Sequence, residues 1–419
     1  VSGVAEWLMA SFGAPSFDVA DGLTPAHVTR YSRQMLLPDI GPAGQAAISR
    51  SAVLVIGAGG LGCAVIPYLA GAGVAKLGVA DPDVVEASNL HRQVMHREAD
   101  AGTSKAASAV RYVRELNSTV DVEALAEAIG VDNALEIVSR YDVVVDASDN
   151  PRTRYVLSDA CVLAGKPLIS GSAVGLEGQL TVYNYEGGPC YRCVYPKPLP
   201  AEASRACSDA GVLGPVPGVI GVLQATETLK VLSGFGDVLS RTLIMYDARS
   251  CTFHRFKLPG RGANCAACGD TPSIANMEQS DAFCSEHNLR GVGSCAPCAD
   301  GGAAADDAAA RTCSVEEYCA VRQSGNPHVL LDVRAKTQFE MCSLRGAINI
   351  PLDQLESRIG EVKDATEQCA LPLFVICRRG VASKVATQVL AGGGIGPTFD
   401  VKGGLSAWAE AVGDGFPPY

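Results

Sequence analysis

Residues 52–75 run for 24 positions without a charged side chain: Ala-Val-Leu-Val-Ile, then Gly57-Ala58-Gly59-Gly60-Leu61-Gly62, then a further apolar stretch. A run of that length is long enough to cross a bilayer as a helix. Its six glycines and Pro67 argue for something else. Five apolar residues bounded by a glycine turn read as a strand buried on both faces, and such strands belong to parallel sheets covered by helices. The chain is therefore expected to build a strand, a tight turn and a buried helix here, with no membrane span.

The pattern continues downstream. Short apolar strands at 53–56, 77–80, 143–146 and 168–169 alternate with helical segments such as 104–116, the βαβ signature of an α/β fold with a mostly parallel sheet. Thr24 before Pro25 marks a helix start, and a helix over 31–37 follows. Further strands are expected at 180–185 and 243–246, with the domain closing at 265–269. Residues 271–311 lose their apolar period and end in a tract of Ala, Asp and two glycines, the composition of a linker. From Cys313 a smaller α/β pattern begins, with strands at 329–333 and 374–376 and a helix after Gly380. The expected organisation is an N-terminal arm (1–29), a first domain (30–270), a linker (271–311) and a second domain (312–419). A chain of 419 residues with 47% hydrophobic side chains has material for both cores.

Acidic residues outnumber basic ones 45 to 34, a net charge of −11, which argues against a nucleic-acid partner held through its phosphates. Sixteen cysteines with no secretory leader before them point to thiols and metal ligands in a reducing compartment, so a cytoplasmic location is expected. The first residue is Val1, which leaves open a leader removed from that end.

Gly57, Gly59, Gly60 and Gly62 follow a strand and open a helix, aiming backbone N–H groups and the positive helix end at a phosphate. Asp81, 24 positions after Gly57 at the end of the next strand, is placed to accept from ribose hydroxyls. A nicotinamide-dinucleotide site would look the same to this point. The residues beyond Asp81 differ: Asn89, Arg92, Gln93 and Lys105 put two cations and two amides where a triphosphate would extend. A hydride-transfer site has less need of that charge.

With Arg30-Tyr31-Ser32-Arg33-Gln34, the glycine loop, Ser88-Asn89-Leu90, Arg92-Gln93, Lys105 and Asp146-Ala147-Ser148-Asp149-Asn150, residues 30–269 resemble the ubiquitin-activating-type adenylating enzymes. That family includes the molybdopterin-synthase and thiamine-synthesis adenylyltransferases. The resemblance implies a Rossmann-like domain that binds ATP, with Asp81 on the ribose, Asn89, Arg92, Gln93 and Lys105 on the phosphates and Asp149 on magnesium. It implies a homodimer as well, with Arg33 reaching into the partner subunit's site.

Cys190-Tyr-Arg-Cys193 and Cys265-Ala-Ala-Cys268 have the knuckle spacing that turns two thiolates toward one tetrahedral ion. Cys295-Ala-Pro-Cys298 has it too, and spacing alone leaves metal binding, a redox disulfide or neither open for that pair. The resemblance implies structural zinc on the first four and leaves Cys295 and Cys298 unassigned. Cys207 sits in a Gly- and Pro-containing segment where a lone cysteine is more often a small buried apolar residue. The resemblance gives it the role of a conjugating cysteine.

In the second domain Cys377-Arg-Arg-Gly380 stands where a strand ends and a helix begins. There the loop N–H groups, the helix dipole, Arg378 and Arg379 favour a thiolate. A tyrosine-phosphatase loop would carry an arginine six positions after the cysteine, and Ser383 stands there instead. With Leu331-Asp332-Val333-Arg334, Ala347-Ile-Asn-Ile-Pro351 and Gly403-Gly404-Leu-Ser-Ala-Trp408, the segment resembles a rhodanese domain, which implies that Cys377 carries sulfur as a persulfide. Ala382 departs from that pattern, standing where relatives have an acidic residue.

The tandem resembles the eukaryotic adenylyltransferase–sulfurtransferases of molybdenum-cofactor synthesis and tRNA thiolation. It implies adenylation of the C-terminal glycine of a ubiquitin-like sulfur-carrier protein, followed by transfer of sulfur from a cysteine-desulfurase-type donor through Cys377 and Cys207. Two other readings stay open on the residues alone. One is a nicotinamide-dependent redox enzyme with a regulatory rhodanese module. The other is a non-catalytic scaffold for a ubiquitin-like partner.

Overall fold

An apolar strand flanked by apolar strands must be covered on both faces, and the central strands of the first sheet obey this. The computed structural model describes residues 20–197, 211–286, 311–367, 370–412 and 416, which fall into two units within Val1–Ala296 and Pro297–Tyr419. In the first unit β1 (Ala52–Ile56), β2 (Lys76–Ala80), β3 (Asp121–Leu125), β4 (Val143–Asp146), β5 (Leu168–Val174), β6 (Glu177–Tyr183), β7 (Thr242–Asp247) and β8 (Thr252–Lys257) form one sheet in the order β3-β2-β1-β4-β5-β6-β7-β8. Pairing is parallel from β3 to β5 and antiparallel from β5 to β8.

Alternate residues of β1 face opposite cores. Val53 and Val55 pack with α2 (Gly62–Ala72), α3 (Lys105–Leu116) and a long helix at Pro215–Ser233, through Ile66, Leu69, Val113 and Ile220. Leu54 and Ile56 pack on the other face with α4 (Pro151–Ala164) through Tyr155 and Leu157. The uncharged run is thus one strand, one turn and one buried helix, and among the described residues no helix is long and apolar enough to cross a membrane.

Several elements differ from the sequence expectation. A single helix, Pro25–Met35, runs through the start at Thr24, whose Oγ1 accepts the His27 N–H at 3.2 Å, and it stops before the exposed Leu36 and Leu37. Strand β8 is exposed at every position and β3 carries two acidic residues in five, so neither shows an apolar pattern. Strand β5 extends to Val174, and β6 begins and ends earlier than expected.

The largest difference lies in the stretch expected to be linker from residue 271, where the chain forms a helix over Met277–Glu286. Met277 and Cys284 join the core around α4, and Ser280 Oγ donates to Asp159 Oδ2 at 2.6 Å. Asp159 is fully buried and also accepts Nε and Nη2 of buried Arg192 at 2.8 and 2.7 Å. The Arg192 guanidinium lies 3.9 Å from the Phe283 ring centroid and 4.8 Å from that of Tyr155. One ion pair therefore ties three segments together. The stretch lacked an apolar stripe because it is held largely by polar side chains.

The second unit has five parallel strands: β9 (Arg311–Cys313), β10 (Val329–Asp332), β11 (Ala347–Asn349), β12 (Leu373–Ile376) and β13 (Thr398–Val401), in the order β11-β10-β12-β13-β9. Helix α5 (Ala382–Gly392) covers one face through Ala386 and Leu390, and α6 (Gly404–Ala411) the other through Leu405 and Trp408. The strands expected at 329–333 and 374–376 are found at 329–332 and 373–376, and the helix expected after Gly380 begins at Ala382.

Asp159→Ala would leave Arg192 buried without its counter-ion, and breaking a buried pair from one side costs about 3–5 kcal/mol. The denaturant midpoint of the N-terminal unit, followed by circular dichroism, should fall accordingly. An unchanged midpoint would contradict the role given to this pair.

Candidate functional site

Ile56 on β1 is level with Ala80 on β2 and with Asp146 on β4, so the segments after all three strands emerge together at the carboxyl edge of the sheet. Ligands of open α/β sheets bind at such an edge. Gly57 turns the chain there with φ +98°, and a Cβ on it would lie 2.6 Å from the Ala147 carbonyl oxygen, so only glycine fits. The two peptides that flank Ala58 are each held. Asp81 Oδ2 accepts the Ala58 N–H at 2.7 Å, and Nε2 of buried His96 faces the Ala58 carbonyl at 2.9 Å, so that nitrogen carries the hydrogen. His96 Nδ1 in turn lies 2.9 Å from Ser108 Oγ, which reaches Asp100 Oδ2 at the same distance. Burial pushes the Asp81 carboxyl up and the His96 imidazole down from their ordinary values.

Around this loop the structure gathers most of the residues singled out by sequence. Gly62 opens α2, and Gly59 and Gly60 sit beside the Gln93 amide and the Arg92 side chain. Arg92 Nη2 donates to Asn89 Oδ1 at 2.6 Å. Lys105 is buried at the start of α3, and its Nζ pairs with Asp83 Oδ2 at 2.8 Å. Asp149 is exposed on the segment following β4. That segment is anchored by fully buried Asp146, which accepts Ser148 Oγ at 2.6 Å and Ser170 Oγ at 2.9 Å. Arg154 Nη2 donates to the Ser148 carbonyl at 3.0 Å.

Arg33 is not brought to this loop. It is exposed on the helix Pro25–Met35, whose Tyr31 and Gln34 meet the residues at the far end of α2, Gly73 and Ala72. The 11 residues of α2 separate that end from the glycine loop by about 16 Å. Cys207, Cys295 and Cys298 lie outside the described residues. Sequence reasoning gave no role to His96, Asp146 or Arg154. His96 sits in a polar stretch with no period, and Asp146 reads as an ordinary strand end.

The four knuckle cysteines do converge. Cys190, Cys193, Cys265 and Cys268 have their sulfurs within 4.8 Å of one another, with Sγ···Sγ separations of 3.7, 3.5 and 3.4 Å between neighbours. Four thiolates at about 2.3 Å from a tetrahedral zinc stand about 3.8 Å apart, so the donor set and spacing fit such an ion and leave no open position. The Gly262 N–H donates to Cys193 Sγ at 3.3 Å. Hydrogen bonding to Cys190 pulls Cys265 down, and the same contact drives Cys190 up. Arg192, lying between two of these cysteines, is the side chain clamped to Asp159.

In the second unit Cys377 follows β12, the middle strand, and is buried. Its sulfur accepts the Gly380 N–H at 3.1 Å and lies 3.3 Å from Ser383 Oγ. The Cys377 carbonyl accepts the Leu405 N–H at 2.9 Å. A Cβ on Gly404 would lie 2.3 Å from that oxygen, so a glycine there lets α6 brace the loop from behind. Arg334 is buried against Asp332, with Nη2 to Oδ2 at 2.6 Å, and it also holds the Cys342 carbonyl. One backbone N–H and one hydroxyl thus face the Cys377 sulfur.

Residues 31–267 match the model of the ThiF family, and residues 314–411 match the rhodanese-like domain. Adenylyltransferase and sulfurtransferase MOCS3 of Arabidopsis thaliana is 46% identical, over 96% of this chain and 88% of its own length. The protein of the same name from Mus musculus is 43% identical over 95% and 88%. Among solved structures, Escherichia coli MccB with MccA-N7isoASN is 25% identical with a TM-score of 0.52, covering 58% of this chain and 75% of that one. The microcin C7 biosynthetic enzyme MccB in complex with N-formylated MccA gives 25% and 0.52, over 59% and 77%.

The four-sulfur cluster should take up cobalt(II), read by its thiolate charge-transfer absorption, and Cys265→Ser should abolish that band. A band that survives Cys265→Ser would remove this residue from the ligand set.

Proposed function

The chain belongs to the ThiF family and ends in a rhodanese-like domain, an adenylyltransferase and sulfurtransferase, and on that premise we propose how the two domains divide the work. The first adenylates the C-terminal glycine of a ubiquitin-like sulfur-carrier protein with ATP, releasing pyrophosphate. The second loads sulfur on Cys377 as a persulfide, whose outer sulfur attacks the activated carbonyl and displaces AMP to give an acyl disulfide; a second thiol then attacks that disulfide at Cys377, forming a protein disulfide and releasing the thiocarboxylate. That sulfur goes onward to the wobble uridine of tRNA, to molybdopterin synthesis, or to both. The carrier class and these destinations come from kinship. The observation that carries the first half is the convergence of the glycine loop, Asp81, Arg92, Gln93 and the Asp149 segment at one sheet edge.

The chemistry follows from those residues. A carrier carboxylate attacking the α-phosphate gathers negative charge on the phosphate oxygens, and Arg92, Lys105 and the loop N–H groups are arranged to hold it. Lys105 would exchange its partner Asp83 for phosphate oxygens. Asp81, buried against the loop, both fixes Ala58 and is left to meet ribose hydroxyls. Asp149, exposed beside the anchored Asp146, is proposed to hold magnesium, which when bound neutralises charge on the phosphates. The cysteine cluster is proposed to hold zinc as a structural brace. Cys207 is proposed to form a transient covalent link to the carrier or to resolve it.

Arg33 is proposed to act in trans in a homodimer, and its position beyond the far end of α2 supports that, since it is remote from its own chain's loop. The sulfur donor is taken to be of the cysteine-desulfurase type and the setting cytoplasmic. A nicotinamide-dependent redox role has less need of the two cations, Arg92 and Lys105.

Carrier-dependent exchange of pyrophosphate into ATP should be lost in Asp149→Ala while thiosulfate sulfurtransferase activity persists. Exchange at the wild-type rate would overturn the phosphate-site assignment. Mixing Arg33→Ala with Asp149→Ala chains should restore part of the exchange, because one site of such a heterodimer is intact. No recovery from a verified heterodimer would refute the trans finger.

A further inference from the structure

A glycine loop can hold a phosphate only while its N–H groups stay free, and one buried side chain bears on whether they do. Helix α2 starts at Gly62, and its earliest bond runs from the Cys63 N–H to the Gly59 carbonyl at 2.9 Å. One residue earlier, the same i to i−4 pattern would join the Gly62 N–H to the Ala58 carbonyl. That carbonyl is taken elsewhere: His96 Nε2 donates to it at 2.9 Å, and Cys63 Sγ lies 3.3 Å from it. Among the described residues nothing accepts the N–H groups of Gly59, Gly60, Leu61 and Gly62. The Ala58–Gly59 peptide is trans, so its carbonyl and its N–H point opposite ways. With the oxygen held against the imidazole, the Gly59 N–H faces away from it.

The imidazole is itself held. Its Nδ1 lies 2.9 Å from buried Ser108 Oγ, Ser108 reaches Asp100 at 2.9 Å, and Arg111 pairs with Asp100 at 2.6 Å. Ser108 stands on α3 three positions after Lys105, so one helix carries both the proposed phosphate contact and the partner that aims the imidazole. His96 is 5% exposed, and its backbone N–H donates to the Gln93 carbonyl at 3.1 Å, which ties it to the turn bearing Arg92 and Gln93.

We propose that His96 is a positioning residue for the nucleotide: by occupying the Ala58 carbonyl it withholds that oxygen from the Gly62 N–H and leaves the first-turn N–H groups of α2 to the phosphates of ATP. Such groups are ready partners for phosphate, and one that is bonded within the chain is lost to the ligand. Without the imidazole, the Ala58 carbonyl becomes a buried acceptor short of a donor, and the Gly62 N–H is the one that the helical pattern offers. His96 acts through the loop. The inference rests on the reading that this loop holds the phosphates.

The test is the affinity of the full chain for ATP with magnesium, measured by calorimetry without a carrier. His96→Phe keeps a ring and removes both nitrogens, and it should weaken ATP binding about tenfold, the size of one or two hydrogen bonds. Adenosine, which brings no phosphate, should compete equally well for the variant and the wild type. His96→Gln, whose amide can donate to the Ala58 carbonyl, should recover most of the loss. Wild-type ATP affinity in His96→Phe, an equal loss for adenosine, or no recovery in His96→Gln overturns the positioning role. If circular dichroism shows His96→Phe unfolded, Ser108→Ala decides, since it frees the imidazole from its second partner: unchanged ATP affinity there overturns the role. Arg92→Ala separates the two levels. ATP affinity that survives Arg92→Ala overturns the phosphate-site reading itself, whereas its loss beside wild-type affinity in His96→Phe overturns only the part given to His96.

Discussion

In a parallel sheet, strands that share a register deliver their following loops to one place, and the register of β1 between β2 and β4 sets what the first domain can do. Ile56, Ala80 and Asp146 lie side by side, so the glycine turn, Asp81 and the Asp149 segment leave the sheet together. A one-residue slip would turn Val53 and Val55 toward the wrong core and carry Gly57 away from the Ala147 carbonyl it packs against. The apolar layers on both faces prevent that slip. The polar network then refines it: Asp81 and His96 grip the two peptides on either side of the Ala58 Cα, fixing the course of the loop.

The two domains use one device for two kinds of negative charge. In each, a buried parallel strand ends in a glycine-containing turn that opens a helix, and the N–H groups of such a turn suit an anion. In the first domain the Arg92 side chain lies beside Gly60 of the loop, which suits phosphate. In the second the loop closes on the sulfur of its own cysteine, braced behind by Gly404. The cysteine cluster serves a different purpose. It sets Arg192 between two metal-ligand candidates and drives it against Asp159, which joins the knuckle to α4 and to the helix Met277–Glu286.

The legible part of the sequence was the buried part. Strands buried on both faces, such as β1 and β4, show as unbroken apolar runs, and the glycine loop and the cysteine pairs carry spacing fixed by their chemistry. Strand β8 was invisible because it is an exposed edge, and the helix Met277–Glu286 because Ser280 and an ion pair replace the apolar stripe. His96 was missed for a related reason: it matters through one hydrogen-bonded neighbour distant in sequence, Ala58, and no local pattern announces such a contact. Ser383 was noticed only as the absence of an arginine, while the fold makes it the neighbour of the reactive sulfur.

The central claim is that a carboxylate activated in the first domain receives sulfur from the second. It is tested most directly by the intact mass of a carrier ending in Gly-Gly after incubation with the chain, ATP, magnesium and a persulfide donor. The account predicts that one carrier oxygen is replaced by sulfur with the wild-type chain, and that Cys377→Ser yields adenylated carrier but no thiocarboxylate. Thiocarboxylate at the wild-type yield from the Cys377→Ser chain would contradict it.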